Sequence, residues 1–146
     1  MTDNLRTILL VEDDPDHEAL TIRALRKSNI ANDIKVARDG EEAINLLFDN
    51  SPGNPRPLPQ VILLDLKLPK VDGLEVLRRI RESEQTSMLP VVILTSSDEE
   101  SYIVRSYRLG VNSYIRKPVN FNEFAEATRQ LGMYWLVLNE CPPTAS

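Results

Sequence analysis

The chain has 146 residues, 42% hydrophobic and 27% charged, which fits one globular domain with a single core. Its formal net charge of −5 argues against a surface built for nucleic-acid phosphates, and no apolar run approaches the roughly 20 residues of a bilayer span. The lone cysteine, Cys141, cannot close an internal disulfide, and no apolar N-terminal run of signal length is present, so a cytoplasmic location is expected.

In chain order, the first apolar run is Thr7–Val11, of strand length and rich in branched residues. A helix is predicted over 16–28, with Leu20 and Ala24 four apart and Ile22 and Leu25 three apart. A weaker strand follows at Ile34–Ala37, then a helix over 40–48 carrying Ala43, Leu46 and Leu47 on one face. Residues 50–59 hold four prolines and read as a stiff surface connection. Val61–Leu64 is a continuous apolar strand, followed by a helix over 73–82 with Val76, Leu77 and Ile80 together. Val91–Leu94 repeats the pattern, and Ser97 is placed to cap a helix over 98–109, with Glu100 at the third helical position. A last strand is predicted at Val111–Ile115 and a last helix over 122–138.

Strand and helix therefore alternate five times. Unbroken apolar strands suit a parallel sheet covered on both faces, so an α/β fold with five parallel strands and right-handed crossovers is expected. No internal repeat or domain boundary interrupts the chain. It reads as one domain over 1–146, with a core over about 6–138 and a tail over 139–146.

Sites in open parallel sheets form beyond the carboxyl ends of the strands. Those ends carry Glu12, Asp13 and Asp14 after the first strand, Asp65 after the third, Thr95 and Ser96 at the fourth and Lys117 after the fifth. Clustered carboxylates repel unless a cation is present. Glu12, Asp13 and Asp65 are hard oxygen donors, and with no His or Cys evident beside them they favour magnesium, with manganese as a substitute, over zinc. Lys117 would add positive charge and Thr95 a hydroxyl, leaving Asp65 as a nucleophile toward phosphorus. Singly, each residue has a plainer reading: Asp14, Asp16 and Asp72 as helix caps or solvated charges, Thr95 as a strand-end hydroxyl, Lys117 as surface charge.

The segments Ile8–Pro15 (ILLVEDDP), Val61–Pro69 (VILLDLKLP) with Asp72-Gly73, Val91–Ser96 (VVILTS) and Asn112–Pro118 (NSYIRKP) together resemble the receiver domain of two-component response regulators, over nearly the whole chain. The resemblance implies the flavodoxin-like (βα)5 fold. It implies Asp65 as phosphoacceptor, Asp13 as a direct magnesium ligand, Glu12 as a ligand through water and the backbone carbonyl of Lys67 as a further one. It also implies Thr95 as the switch hydroxyl that moves to the phosphate, Tyr114 as the switch aromatic, Lys117 as the phosphate contact and a cis peptide bond before Pro118. Such a domain transfers the phosphoryl group to itself and hydrolyses it, and is a signalling domain rather than a turnover enzyme. Lys67, two residues after the acceptor, either leans into the acidic pocket or is solvated. LDLKLP at Leu64–Pro69, TSS at Thr95–Ser97 and Tyr134-Trp135-Leu136 more narrowly resemble the small regulators partnered by phytochrome-type histidine kinases.

No output domain follows the last predicted helix, so signalling by surface change and protein contact is expected. Leu131–Leu138 carries no charge. Phe121, Phe124, Thr128, Leu131, Trp135 and Leu138 can share a core-facing stripe, but Met133, Tyr134, Leu136 and Val137 cannot then all be buried. A homodimer involving Tyr134, Trp135, Leu136 and Val137 would cover this surface, as would a tail folded back around Cys141-Pro142-Pro143. Other functions fit less well. An aspartyl-nucleophile phosphohydrolase of the haloacid dehalogenase type wants a second acid where Lys67 stands. A flavodoxin-like cofactor binder wants a phosphate-cradling loop where Glu12-Asp13-Asp14 would repel phosphate. An intermediate phosphotransfer role in a phosphorelay is the remaining alternative.

Overall fold

The apolar runs become the strands of one parallel sheet. The computed structural model describes residues 7–27, 33–48, 58–96, 99–117 and 120–139. Strands β1 (Thr7–Val11), β2 (Asp33–Ala37), β3 (Val61–Leu64), β4 (Val91–Thr95) and β5 (Ser113–Arg116) alternate with helices α1 (Pro15–Lys27), α2 (Gly40–Phe48), α3 (Gly73–Glu82), α4 (Glu100–Arg108) and α5 (Phe121–Gly132). All five strands are parallel, as expected, and the sheet order is β2-β1-β3-β4-β5.

Successive strand residues point to opposite faces, and the core divides accordingly. Leu9, Val11, Ile62, Leu64, Val91 and Ile93 pack on one face with Ala43 and Leu47 of α2 and Val76, Leu77 and Ile80 of α3; Tyr102 of α4 packs against this cluster. Ile8, Leu10, Leu63, Val92 and Leu94 pack on the other with Leu25 of α1 and Phe124 and Leu131 of α5. The central strands β3 and β4 are buried throughout, whereas the edge strands β2 and β5 are mostly half-exposed, which explains their weaker apolar signal.

Three predicted boundaries move. β5 spans Ser113–Arg116 rather than Val111–Ile115, because the Val111 amide closes the turn after α4 on the Ser106 carbonyl and Asn112 N–H is the first to reach β4, at Val91 O. α4 starts at Glu100 behind Glu99, which gives no side-chain cap; Ser97, expected to cap it, lies outside the described residues. The last predicted helix ends as α at Gly132 and continues as a π-helical segment, Met133–Leu138, closed by Asn139 N–H to Tyr134 O at 2.7 Å. The wider i→i+5 turn shifts the side-chain register. Leu136, expected among the residues left over for a partner, is buried in the core. Trp135, expected on the core stripe, and Met133 are half-buried, while Tyr134 and Val137 remain exposed. The side chains of Phe121 and Leu138 lie outside the described residues, as do the 139–146 tail beyond Asn139 and most of the proline-rich connection. No described helix is long and apolar enough to cross a membrane.

At the amino ends of the strands, Arg81 ties three segments together. Its Nε donates to Gly110 O (2.8 Å), Nη1 to Ser87 O (3.0 Å) and Leu89 O (2.8 Å), and Nη2 to Asn112 Oδ1 (2.9 Å). Asn112 Oδ1 also accepts the amide of Val91, the first residue of β4 (2.8 Å).

Candidate functional site

The strand order sets β1 beside β3 and β3 beside β4, so the residues after these strands meet at one end of the sheet. Glu12, directly after β1, is only 2% exposed, and its backbone N–H is held by Ala37 O of β2. Asp65, directly after β3, is 8% exposed, with its backbone N–H on Val11 O. Thr95 ends β4 and is fully buried; Lys117, just past β5, is 5% exposed, with its amide on Thr95 O (2.6 Å).

These buried polar groups satisfy one another. Asp65 Oδ1 accepts from the Leu66 amide (2.7 Å) and the Thr95 hydroxyl (2.8 Å), and the Lys67 amide approaches it at 3.4 Å. Lys117 Nζ donates to Asp65 Oδ2 (3.0 Å) and Glu12 Oε1 (2.6 Å). One buried ammonium thus bridges two buried carboxylates, the arrangement that makes such charges tolerable away from water. Burial raises the Glu12 carboxyl to about 7 from an ordinary 4.5, against the lowering effect of its bond to Lys117.

Asp13 is exposed, yet one oxygen each from Glu12, Asp13 and Asp65 lie within 4.8 Å of one another. An all-carboxylate set with one solvent-facing member fits a hard divalent cation that keeps part of its water. A cleft of about 300 Å³ opens beside it, lined by Asp13, Leu66, Lys67, Pro69 and Tyr102. Lys67 is exposed at this cleft. The floor is fixed by Gly73, whose N–H donates to Leu66 O (2.8 Å); a Cβ there would lie 2.3 Å from Asp65 O.

The residues expected at the site therefore converge: Glu12, Asp13, Asp65, Thr95 and Lys117. The Thr95 hydroxyl is turned to the Asp65 carboxylate. Tyr114, on β5, is half-buried against the core face shared with α4. Pro118 lies outside the described residues, and with it the expected cis bond. The plainer readings hold for two acids. Asp14 Oδ1 caps α1 through the Asp16 and His17 amides (2.9 and 3.2 Å), and Asp72 caps α3 through Glu75 N–H (3.0 Å).

One neighbour was missed. The expectation that no histidine lies near the cluster is wrong: His17 Nδ1 is 2.9 Å from Lys117 Nζ. His17 is the third residue of α1, in the first turn after the acidic run Glu12–Asp14, and that nearness in sequence was the available signal.

Comparison with known proteins agrees with this geometry. Residues 8–129 match the family model described as response regulator receiver domain. The response regulator Rcp1 of Synechocystis sp. is 37% identical over 131 residues, 90% of this chain and 89% of that protein. Its Mn2+-bound crystal structure superposes with a TM-score of 0.88, covering 94% of this chain and 99% of that one. The phosphorylated cyanobacterial phytochrome response regulator RcpA gives a TM-score of 0.90 at 35% identity, covering 95% and 99%. The bacteriophytochrome response regulator RtBRR is 52% identical, with a TM-score of 0.73 over 95% of this chain and 85% of that one. With the family model spanning most of the sequence and the five-stranded parallel order to match, the chain belongs to the response regulator receiver domain family.

Proposed function

We propose that Asp65 accepts a phosphoryl group from a phosphohistidine of a histidine kinase. The observation that carries this is the single carboxylate held between the Lys117 ammonium at 3.0 Å and the Thr95 hydroxyl at 2.8 Å, next to the exposed acid Asp13. A carboxylate oxygen of Asp65 forms the new P–O bond as the P–N bond to the kinase histidine breaks. Lys117 and Thr95 donate to the oxygens on which charge gathers. Magnesium, or manganese in its place, would be held by Asp13 and Asp65 directly, by Glu12 through water and by the backbone carbonyl of Lys67, and would offset phosphoryl charge. Loss of the phosphoryl group to water at the same residues resets the switch, without turnover of an external substrate.

Phosphorylation adds charge and acceptor oxygens beside Thr95, and its effect passes through Tyr114 to the face made by α4, β5 and α5. Output is by protein contact in the cytoplasm, with neither nucleic acid nor membrane as partner. RtBRR and RcpA support a phytochrome-type kinase as the upstream partner. A homodimer through the π-helical end is supported by Tyr134 and Val137, which stay exposed at 50% and 41%, and by Trp135, edge-on to Tyr134 at 5.0 Å between ring centroids.

The test is incubation with phosphoramidate and magnesium followed by intact mass measurement. One added phosphoryl group is expected on the unaltered chain and none on Asp65→Asn. Equal labelling of that variant would refute the assignment.

A further inference from the structure

Lys117 offers three N–H hydrogens and accepts nothing. Each hydrogen has an acceptor: Glu12 Oε1 at 2.6 Å, Asp65 Oδ2 at 3.0 Å and His17 Nδ1 at 2.9 Å. The first two belong to the site described above. The third is the chain's single histidine, on α1, 100 residues away in sequence.

The His17 backbone is anchored at both ends and its ring is packed on one side. Its backbone N–H is bound by Asp14 Oδ1 at 3.2 Å, and its carbonyl accepts the Thr21 hydroxyl at 2.8 Å. The ring packs against Phe124 of α5, with centroids 5.5 Å apart and planes tilted by 31°. Asp14 Oδ2 lies 3.7 Å from Nδ1, beyond a hydrogen bond and farther than Lys117. Because Lys117 only donates, a hydrogen bond between the two uses Nδ1 as the bare acceptor nitrogen and places the ring proton on Nε2.

We infer that His17 is a positioning residue for phosphoryl transfer: its Nδ1 takes the third hydrogen of Lys117 and so fixes the direction in which the ammonium addresses Asp65. This rests on Asp65 being the phosphoacceptor. A phosphoryl oxygen on Asp65 takes over the hydrogen now given to Oδ2, while Glu12 and His17 keep the other two. Without His17 a buried ammonium hydrogen lacks an acceptor, and the short bond to Glu12 draws Lys117 away from the acceptor. A side chain with a carbonyl oxygen at position 17 restores the third bond; an aliphatic one does not.

The test uses the full chain. Uniform 15N labelling reads the one imidazole without assignment ambiguity, and phosphorylation by phosphoramidate with magnesium is timed for the unaltered chain, His17→Gln and His17→Leu. The Nε2–H tautomer is expected, with a His17→Leu rate lowered about tenfold and a His17→Gln rate within about twofold of the unaltered chain. An Nδ1–H tautomer, or a His17→Leu rate equal to that of the unaltered chain, overturns the positioning role and leaves Asp65 as acceptor. An unaltered chain that takes no phosphoryl group overturns both. Should His17→Leu fail to fold, the tautomer and the His17→Gln rate decide, and a His17→Gln rate lowered as much as tenfold counts against the role.

Discussion

Thr95 and Asp65, thirty residues apart in sequence, are joined by a buried hydrogen bond from Oγ1 to Oδ1 at 2.8 Å. The hydroxyl proposed to respond to phosphorylation is thus already in contact with the proposed acceptor. Thr95→Ala removes this donor but leaves the Leu66 amide on the same oxygen. The variant is expected to lose about 1–3 kcal/mol of stability, the cost of leaving a buried acceptor short of a donor. It should still take up a phosphoryl group, while amide shifts over Tyr102–Tyr114 on phosphorylation become smaller. Shifts as large as those of the unaltered chain would break the proposed route through Tyr114.

Lys117 is the only described counter-charge within hydrogen-bond reach of both Glu12 and Asp65. Lys117→Met strands two buried carboxylates and should destabilise the metal-free protein by about 3–5 kcal/mol. Magnesium should recover more stability in this variant than in the unaltered chain. Asp13→Ala, at an exposed position, should leave the metal-free melting temperature nearly unchanged yet weaken magnesium binding strongly. Calorimetric titration and thermal melts in chelator separate the two effects, and unchanged magnesium affinity in Asp13→Ala would remove it from the site.

Gly73 is required by distance rather than by backbone angle. A Cβ at this position meets the Asp65 carbonyl oxygen at 2.3 Å and Leu66 Cα at 2.6 Å, both backbone atoms with little freedom to yield. Gly73→Ala should cost about 1–3 kcal/mol through overpacking and displace Asp65. Denaturant melts and the phosphoramidate labelling rate should therefore fall together.

Glu75 gives a pH dependence of defined sign. The Arg78 guanidinium, and then that of Arg79, hold its carboxyl at about 2, below the ordinary 4.5. A carboxyl lowered in the folded state contributes stability above its unfolded value, and that contribution is lost as pH falls toward the folded one. Glu75 is partly exposed, so solvent screening keeps the effect small. Glu75→Gln should melt about 1–3 °C lower at neutral pH and low salt, the gap narrowing below about pH 4.5 and in about 1 M salt. Melts of both proteins by circular dichroism across that range measure it.

At the π-helical end, Tyr134 and Val137 are exposed whereas Leu136 is in the core. Replacing Tyr134 and Val137 with Glu should give a folded monomer that still accepts phosphate, with dimer affinity lowered at least about 100-fold, since each large apolar side chain contributes on the order of 1.5–3 kcal/mol. Leu136→Glu should instead unfold the domain. Sedimentation showing a monomer for the unaltered chain, with and without phosphodonor, would favour a tail folded over this surface.

The central strands were legible because burial on both faces demands continuous apolar runs, and Val61–Leu64 and Val91–Thr95 have them. Edge strand β5 was displaced because its half-exposed SYIR pattern carries a weaker signal than the buried Val111 before it. Asp65, Glu12 and Lys117 were legible because strand ends converge in a parallel sheet. His17 was only weakly so, by its place just after the acidic run, since its approach to Lys117 depends on α1 and the end of β5 meeting in space. The burial of Leu136 was hidden for another reason: a 3.6-residue period assigns it outward, and only the i→i+5 turn brings it in.

The five-point bond of Arg81 and Asn112 lies at the end of the sheet opposite Asp65. It clamps β4 and β5 at their roots, with Tyr114 two residues from Asn112 and Thr95 and Lys117 at the far ends. A rearrangement beside Asp65 would then act at the far ends of these strands without shearing the sheet. Loosening the clamp, as in Arg81→Ala, would let β5 slide along β4 and dissipate that motion before it reached the surface.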